Sequence, residues 1–293
     1  MKLLDGKLVA EQIKNEIARE VKEQFIDKGL EPPHLAAVLV GEDPASMTYV
    51  SAKEKACREV GFISSVYRYP SNITEEKLFD VIDFLNSDDD INGFIVQVPL
   101  PRHIDEHKII ERIDPAKDID GFHPVNIGKM VLNLPCFLPA TPLGIMTLLD
   151  RYNIDVEGKN CVVLGRSHTV GTPISILLSR KSKPGNGTVT LCHSFSQDIQ
   201  TIASRADILI VAMGKQGFVT ADMVKQGAVV VDVGIHRIPS DETKSGFKLK
   251  GDVKFDEVAG KCSYITPVPG GVGLMTIVSL LQNTLKAAKK EII

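Results

Sequence analysis

Residues 161–173 read Cys161-Val162-Val163-Leu164-Gly165-Arg166-Ser167-His168-Thr169-Val170-Gly171-Thr172-Pro173. An apolar run meets a glycine turn, and a second glycine and a proline then mark a place where a helix can begin. Strand, tight turn and helix start in succession form the repeating unit of α/β sheets. Such a corner suits a pyrophosphate. Gly165 permits the turn, Gly171 permits close backbone approach, and the helix N-terminus offers N–H groups to negative charge. The spacing is not G-x-G-x-x-G, since Ser167 stands where the second glycine would be and the loop is longer. A plain strand–helix corner also favours glycine, so the pattern by itself leaves both readings open.

The alternation continues on both sides of this corner. Downstream, the pattern predicts a helix over 170–179, a strand over 188–192, a helix over 198–204 and strands over 207–212 and 228–233. The chain closes with Pro267-Val268-Pro269-Gly270-Gly271-Val272-Gly273 and a helix over about 275–290. Upstream, Val9, Ile13, Ile17, Val21 and Phe25 step along one face of a first helix that begins after Asp5 and is stopped by Gly29 and Pro32-Pro33. Strands are expected over 34–40, 62–69 and 93–98, with helices over 45–60 and 74–85 between them. A long irregular stretch over 114–141, rich in Asp, Pro, Gly and Asn, precedes a helix over 142–152. Loops of that length are usually functional or inter-domain. Strand–helix alternation throughout predicts βαβ units and mostly parallel sheets.

The 293 residues are comfortable for two domains of roughly 150 residues each. With 43% hydrophobic and 24% charged residues the composition is globular. A net charge of −3 gives no electrostatic footprint for nucleic acid or an anionic membrane. Five scattered cysteines with no C-x-x-C spacing argue against a disulfide framework or zinc ribbon and suit a reducing cytosol. No apolar run approaches the roughly 20 residues that span a bilayer. A soluble cytoplasmic protein is therefore expected.

The strand over 188–192 runs into His193-Ser194, without the acidic residue that an NAD site places on the ribose. With Arg166 nearby, this uncharged tip favours NADP, the alternative being a solvated turn. Met213-Gly214 follows another strand end and reads equally as a turn or as a place where a dinucleotide crosses.

In the first half, Tyr49 and Lys53 lie one helical turn apart, with Ser46 a further turn back. Periodicity alone favours a solvated face carrying Lys53, Lys55 and Arg58. Gln97 interrupts an apolar strand and needs a buried partner or a ligand, because unpaired burial is costly. Asp118-Ile119-Asp120-Gly121 lacks the further ligands of an EF-hand, and His103 and His107 lack a third ligand, so no metal site is expected. The latter pair reads as a solvated helix face. Cys161 and Cys192 read as small core residues.

Taken together, Tyr49-Val50-Ser51-Ala52-Lys53, Val96-Gln97-Val98-Pro99-Leu100-Pro101 and Lys117-Asp118-Ile119-Asp120-Gly121 resemble motifs of the bifunctional methylenetetrahydrofolate dehydrogenase/cyclohydrolases. So do Gly165-Arg166-Ser167 with Val170-Gly171, Cys192-His193-Ser194 and the run Thr266 to Gly273, in the family's order across nearly the whole chain. His168-Thr169 is a less usual variant of the cofactor loop.

The resemblance implies a two-lobed α/β fold with an active-site cleft between the lobes, the second lobe being a Rossmann-type domain. Residues 1–140, completed by a returning C-terminal helix over 274–293, would bind folate, and 141–273 would bind NADP. It further implies a homodimer and a role in tetrahydrofolate interconversion, one-carbon metabolism and purine biosynthesis. The implied reaction is NADP-dependent oxidation of 5,10-methylenetetrahydrofolate followed by hydrolysis of the methenyl cation to 10-formyltetrahydrofolate.

In this scheme Lys53 handles protons in the hydrolysis, Gln97 holds its amine, Tyr49 faces the pterin–aminobenzoyl region, and Asp120 pairs with the pterin's donor edge. Val96, Val98 and Pro269, Gly270, Gly271, Val272 and Gly273 would complete the folate site. Gly165, Arg166, Ser167, Val170, Gly171, His193, Ser194, Gly214 and Ile235 would contact the cofactor. The competing readings are a shikimate-dehydrogenase-like oxidoreductase, a catalytically silent dinucleotide sensor, and a family member with only one of the two activities.

Overall fold

The structure is a computed structural model that describes residues 1–241, 243 and 246–292. In chain order the elements are β1 (Lys2–Leu3), α1 (Gly6–Gln24), β2 (His34–Val40), α2 (Pro44–Glu59), β3 (Ile63–Tyr69), α3 (Glu75–Ser87), β4 (Gly93–Val96), α4 (Glu106–Arg112), α5 (Pro124–Val131) and α6 (Ala140–Arg151). There follow β5 (Asn160–Leu164), α7 (Gly171–Ser179), β6 (Thr188–Cys192), α8 (Ile199–Ala203), β7 (Ile208–Val211), β8 (Val229–Asp232), β9 (His236–Pro239), β10 (Phe247–Lys250), α9 (Phe255–Val258), β11 (Tyr264–Ile265) and α10 (Val272–Ala288). They form two compact units, Glu11–Ala140 with Ile277–Ile293, and Met1–Ala10 with Thr141–Thr276. Ile293, the end of the expected C-terminal segment, lies outside the described residues.

The unit built on residues 11–140 has a parallel three-stranded sheet in the order β3-β2-β4. Its central strand is apolar at every position after His34 because both faces are covered. Alternate residues Ala36, Val38 and Val40 join Phe94 and Val96 of β4 against Leu78, Ile82 and Leu85 of α3 and Ile109 of α4. Leu35, Ala37 and Leu39 project to the opposite face and are equally buried. Truncating the fully buried Phe94 to alanine would cost about 3–5 kcal/mol. Local signals set the helix starts: Asp43 accepts from Ser46 N at 2.7 Å and Thr74 from Lys77 N at 3.3 Å.

The stretch expected to be irregular over 114–141 contains structure. Lys117 O accepts from Phe94 N at 3.0 Å and Asp118 bridges Phe94 in parallel, so this segment runs beside β4 as a short further strand. Helix α5 follows, with Pro124 in its first turn and the His123 ring as its cap, Nδ1 accepting from Val125 N at 3.1 Å. A histidine cap falls outside the usual Ser, Thr, Asp and Asn signal, which is why the helix was not legible.

The second unit carries a six-stranded, wholly parallel sheet in the order β1-β11-β8-β7-β5-β6. Its core runs from Val162 and Leu164 through Leu209, Val211 and Val230 to Ile265, all buried. Chain order reverses at β5, with β6 on one side and β7 on the other, the arrangement of doubly wound dinucleotide folds. An antiparallel hairpin, β9–β10, is added after β8. The N-terminus departs from the expected division: Lys2 N donates to Ser263 O and Leu4 N to Ile265 O, each at 2.8 Å, so residues 1–10 lie with this unit. Two-residue strands such as β1 and β11 are too short to show a period.

Candidate active site

In the first unit, β3 and β4 flank β2, so the carboxyl ends of β2 and β4 lie at a switch in strand order, where open α/β sheets place ligands. Gln97 stands one residue past β4, its N–H donating to Val38 O at 2.9 Å. Helix α2, entered from β2, buries Ser46, Val50, Lys53, Ala56 and Cys57. The expectation of Lys53 on a solvated face with Lys55 and Arg58 is therefore overturned. The other two are exposed, whereas Lys53 is only 4% exposed. Steps of four and three from Ser46 through Val50 to Lys53 put these residues on the buried face of the helix.

Lys53 Nζ donates to Gln97 Oε1 at 3.1 Å and sits 4.6 Å from the centroid of the Tyr49 ring. Burial holds its pKa below the usual lysine value, while the charges of Asp120 and Cys57 oppose that shift. A cation over an aromatic face is worth about 0.5–2 kcal/mol, yet desolvation is the larger influence and the net shift is downward. Burial likewise raises the Asp120 carboxyl, against the opposing charge of Lys53. Beside them Cys57 is fully buried and its thiol is pushed up to about 12, which removes it as a nucleophile.

Asp120 is held by its backbone. Its carbonyl accepts from Ala140 N at 3.2 Å, and Gly121 has φ +74° with Leu138 and Pro139 where a Cβ would lie. Asn283 of α10 donates through Nδ2 to Ile119 O at 2.8 Å and Leu138 O at 3.0 Å, clamping the segments around Asp120. Asp118 accepts from Phe122 N, His123 N and Asn126 Nδ2 at 3.2, 2.8 and 2.9 Å, so its oxygens organise the turn. Burial, with a smaller contribution from Asp120, lifts its pKa to about 7. Val96 is buried and Val98 half-buried beside Gln97.

His103 and His107 do not share a helix as expected: α4 begins at Glu106, and His103 Nε2 donates to Ile73 O at 2.9 Å. Cys161 and Cys192 are buried in strands.

In the second unit the expected cofactor residues occupy the carboxyl edge of four neighbouring strands. Gly165, Arg166, Ser167, Val170 and Gly171 follow β5, and His193 and Ser194 follow β6. Gly214 follows β7, and Ile235 follows β8. Gly165 has φ +110° and a Cβ there would strike Ala212 O; a Cβ on Gly171 would strike Gly165 O. Both glycines therefore keep an open concave turn, a cradle suited to a pyrophosphate.

One detail differs from expectation. Ser167 Oγ accepts from Val170 N at 3.1 Å and Gly171 N at 3.4 Å, and Ser167 O accepts from Thr172 N at 3.0 Å. The first amides of α7 are thus partnered by Ser167. Thr169 Oγ1 also donates to Ser167 Oγ at 3.4 Å, and the Ser167 side chain is exposed, so its hydroxyl proton is available to an outward acceptor. His193 Nδ1 accepts from Phe195 N at 3.2 Å, and Ser194 is exposed at the same turn.

Pro269 to Gly273 also lie in this unit, and Lys53 belongs to the other. Lys7 N donates to Gly270 O at 3.1 Å, Gly6 leaves no room for a Cβ beside Gly271, and a Cβ on Gly273 would sit 3.2 Å from Ile235 Cδ1. Sequence reasoning missed Asn283 and Asp252. Neither carries a sequence signal, because the groups they bind lie elsewhere in the chain.

The family model described as tetrahydrofolate dehydrogenase/cyclohydrolase, catalytic domain, matches residues 4–120, and that of the NAD(P)-binding domain matches 139–292. The chain is 59% identical to the bifunctional protein FolD of Bacteroides thetaiotaomicron, covering 100% of this chain and 99% of the relative. The crystal structure of the Campylobacter jejuni bifunctional FolD enzyme superposes with a TM-score of 0.92 at 48% identity, covering 100% of both chains. The Trypanosoma brucei dehydrogenase–cyclohydrolase, complexed with NADP cofactor and inhibitor, does so with a TM-score of 0.93 at 36% identity, covering 99% of this chain and 97% of that one. A shikimate dehydrogenase matches at 13% identity with a TM-score of 0.51, a likeness of fold alone. With both domain types matched in order and a bifunctional relative aligned end to end, the chain belongs to the tetrahydrofolate dehydrogenase/cyclohydrolase family.

Proposed function

We propose that this protein oxidises 5,10-methylenetetrahydrofolate with NADP and hydrolyses the resulting methenyl cation to 10-formyltetrahydrofolate. The observation that carries the reading is Lys53: a buried amine, hydrogen-bonded to Gln97, with its pKa lowered by burial. Matching the operating pH is what a lysine needs to act as a base.

In the hydrolysis, water attacks the bridging carbon and gives a proton to neutral Lys53 Nζ. As the bond from that carbon to one folate nitrogen breaks, the nitrogen takes the proton from Lys53, and the hydroxyl left on the carbon gives up its remaining proton to solvent as the formyl C=O forms. The cationic substrate beside Lys53 disfavours its charged form further. Gln97 fixes the amine, Tyr49 covers one side of it, and Asp120 accepts from the pterin's donor edge. Val96 and Val98 line the folate beside Gln97.

NADP, when bound, supplies the hydride acceptor. Gly165, Gly171 and Val170 shape the pyrophosphate turn, Ser167 donates to it, Arg166, His193 and Ser194 face the 2′-phosphate end, and Gly214 and Ile235 meet the dinucleotide farther along the sheet edge. Hydride transfer asks the protein for proximity and no strong base.

We further infer a cytoplasmic homodimer that serves one-carbon metabolism and purine biosynthesis. All five cysteines are free and buried, which suits a reducing compartment. Among the described residues no helix is long and apolar enough to cross a membrane.

A coupled assay tests the reading. Incubation with methylenetetrahydrofolate should reduce NADP faster than NAD and yield a formyl product. Absence of any reduced cofactor would exclude the dehydrogenase, leaving a silent dinucleotide sensor, and reduction without formyl product would leave a single-activity enzyme.

A further inference from the structure

Asp252 is fully buried, with 0% exposure, at the end of the β9–β10 hairpin. Its Oδ2 accepts from Met213 N at 2.7 Å and from Gly214 N at 2.8 Å, and its Oδ1 accepts from His236 Nε2 at 2.7 Å. One carboxylate thus joins the turn after β7 to the first residue of β9, next to Ile235. Behind it stands Asp232 at the end of β8, accepting from Gly234 N at 3.0 Å, Asp252 N at 2.9 Å and Val253 N at 2.9 Å.

The glycines show that this node is built into the backbone. A Cβ on Gly234 would strike the Asp252 carboxylate, and a Cβ on Gly251 would strike that of Asp232. Each acid is seated on a glycine of the other's segment. Asp232 N also donates to Thr266 Oγ1 at 2.7 Å, which ties the node to the strand leading into Pro269–Gly273. Two carboxylates in one buried place are tolerated only because six N–H donors surround them.

The surroundings are what a ligand wall needs. Gly214 has φ +64° and open space where a Cβ would point, and Ile235 is 54% exposed. Both are exposed to a ligand on their outer side and anchored by Asp252 on their inner side, Gly214 directly and Ile235 through its neighbour His236.

We propose that Asp252, with His236, is the positioning residue that fixes the backbone of Met213-Gly214 and Ile235 for the dinucleotide. It touches neither substrate nor cofactor and acts through these segments. The inference rests on the NADP reading of the second unit.

The test compares Asp252→Asn, His236→Leu and His236→Gln in the full chain, by calorimetric titration with NADP alone and by dehydrogenase kinetics. Asp252→Asn and His236→Leu are expected to weaken NADP binding by at least about tenfold, the loss expected from one charge-assisted hydrogen bond to a buried group. His236→Gln retains an N–H for Oδ1 and is expected to stay within about threefold of wild type. The KM for NADP should rise while kcat at saturation changes by less than about threefold, the mark of lost uniform binding. Should Asp252→Asn not fold, the His236 pair decides. Folded variants that bind NADP as wild type does, or Leu and Gln variants equally weakened, overturn the assignment. Wild-type protein that does not bind NADP would instead sink the cofactor reading on which it stands.

Discussion

Gln97 presents its carbonyl oxygen, and not its NH2 group, to Lys53. The Nε2 group is committed to Val98 O at 2.7 Å, and this turns Oε1 toward Lys53 Nζ at 3.1 Å. The amine is therefore held by a neutral acceptor. A carboxylate in that position would hold it equally well in space but would also bind its proton. The choice of an amide keeps the lowered lysine pKa that burial produces.

Replacing Gln97 with glutamate tests this directly. The added negative charge raises the pKa of Lys53, so at neutral pH more of the amine is protonated and the base is lost. Hydrolysis at pH 7 is expected to fall by roughly 10- to 100-fold, since each pKa unit is tenfold in the neutral fraction. Activity should recover as pH rises. A stopped-flow pH profile identical to wild type would contradict the role of the amide.

Asp120 acts in the opposite sense, because its charge raises the pKa of Lys53. Asp120→Asn removes that charge, the lysine pKa falls further, and the ascending limb of the hydrolysis profile moves to lower pH. A KM increase for folate is expected alongside, from the lost pterin contact. Measured at saturating folate, a shift of the limb to higher pH would show that the two groups are not coupled in this way.

Gly165→Ala combines a φ of +110° with a collision against Ala212 O. Strain of both kinds at one site is expected to cost about 2–4 kcal/mol and to lower the melting temperature. NADP binding should be lost at the same time, because relief of the collision requires β5 and the turn after β7 to separate. An unchanged melting temperature would mean that the turn is softer than its geometry implies.

The sheets were legible because buried parallel strands are continuous apolar runs; His34 to Val40 and Cys161 to Leu164 show this without ambiguity. The site was half legible. The turn at Gly165 follows from glycine geometry, whereas periodicity alone puts Lys53 on a solvated face with Lys55 and Arg58, and only its company with Tyr49, Gln97 and Asp120 points to a site; the burial itself comes from the fold. Helix α5 was hidden by its histidine cap. Asp252 could not be read at all, because its partners Met213, Gly214 and His236 are distant in the chain and meet it only after the sheet forms. The same holds for Asn283, whose acceptors Ile119 and Leu138 lie more than a hundred residues upstream.

The central claim is that Lys53 carries proton transfer in the hydrolysis, while hydride transfer needs no base. The most direct measurement assays both activities of Lys53→Ala on the same preparation. Hydrolysis of the methenyl substrate should drop by about 10²- to 10⁴-fold, the usual contribution of a general base, while reduction of NADP by methylenetetrahydrofolate stays measurable. Hydrolytic turnover near that of the wild type would contradict the account.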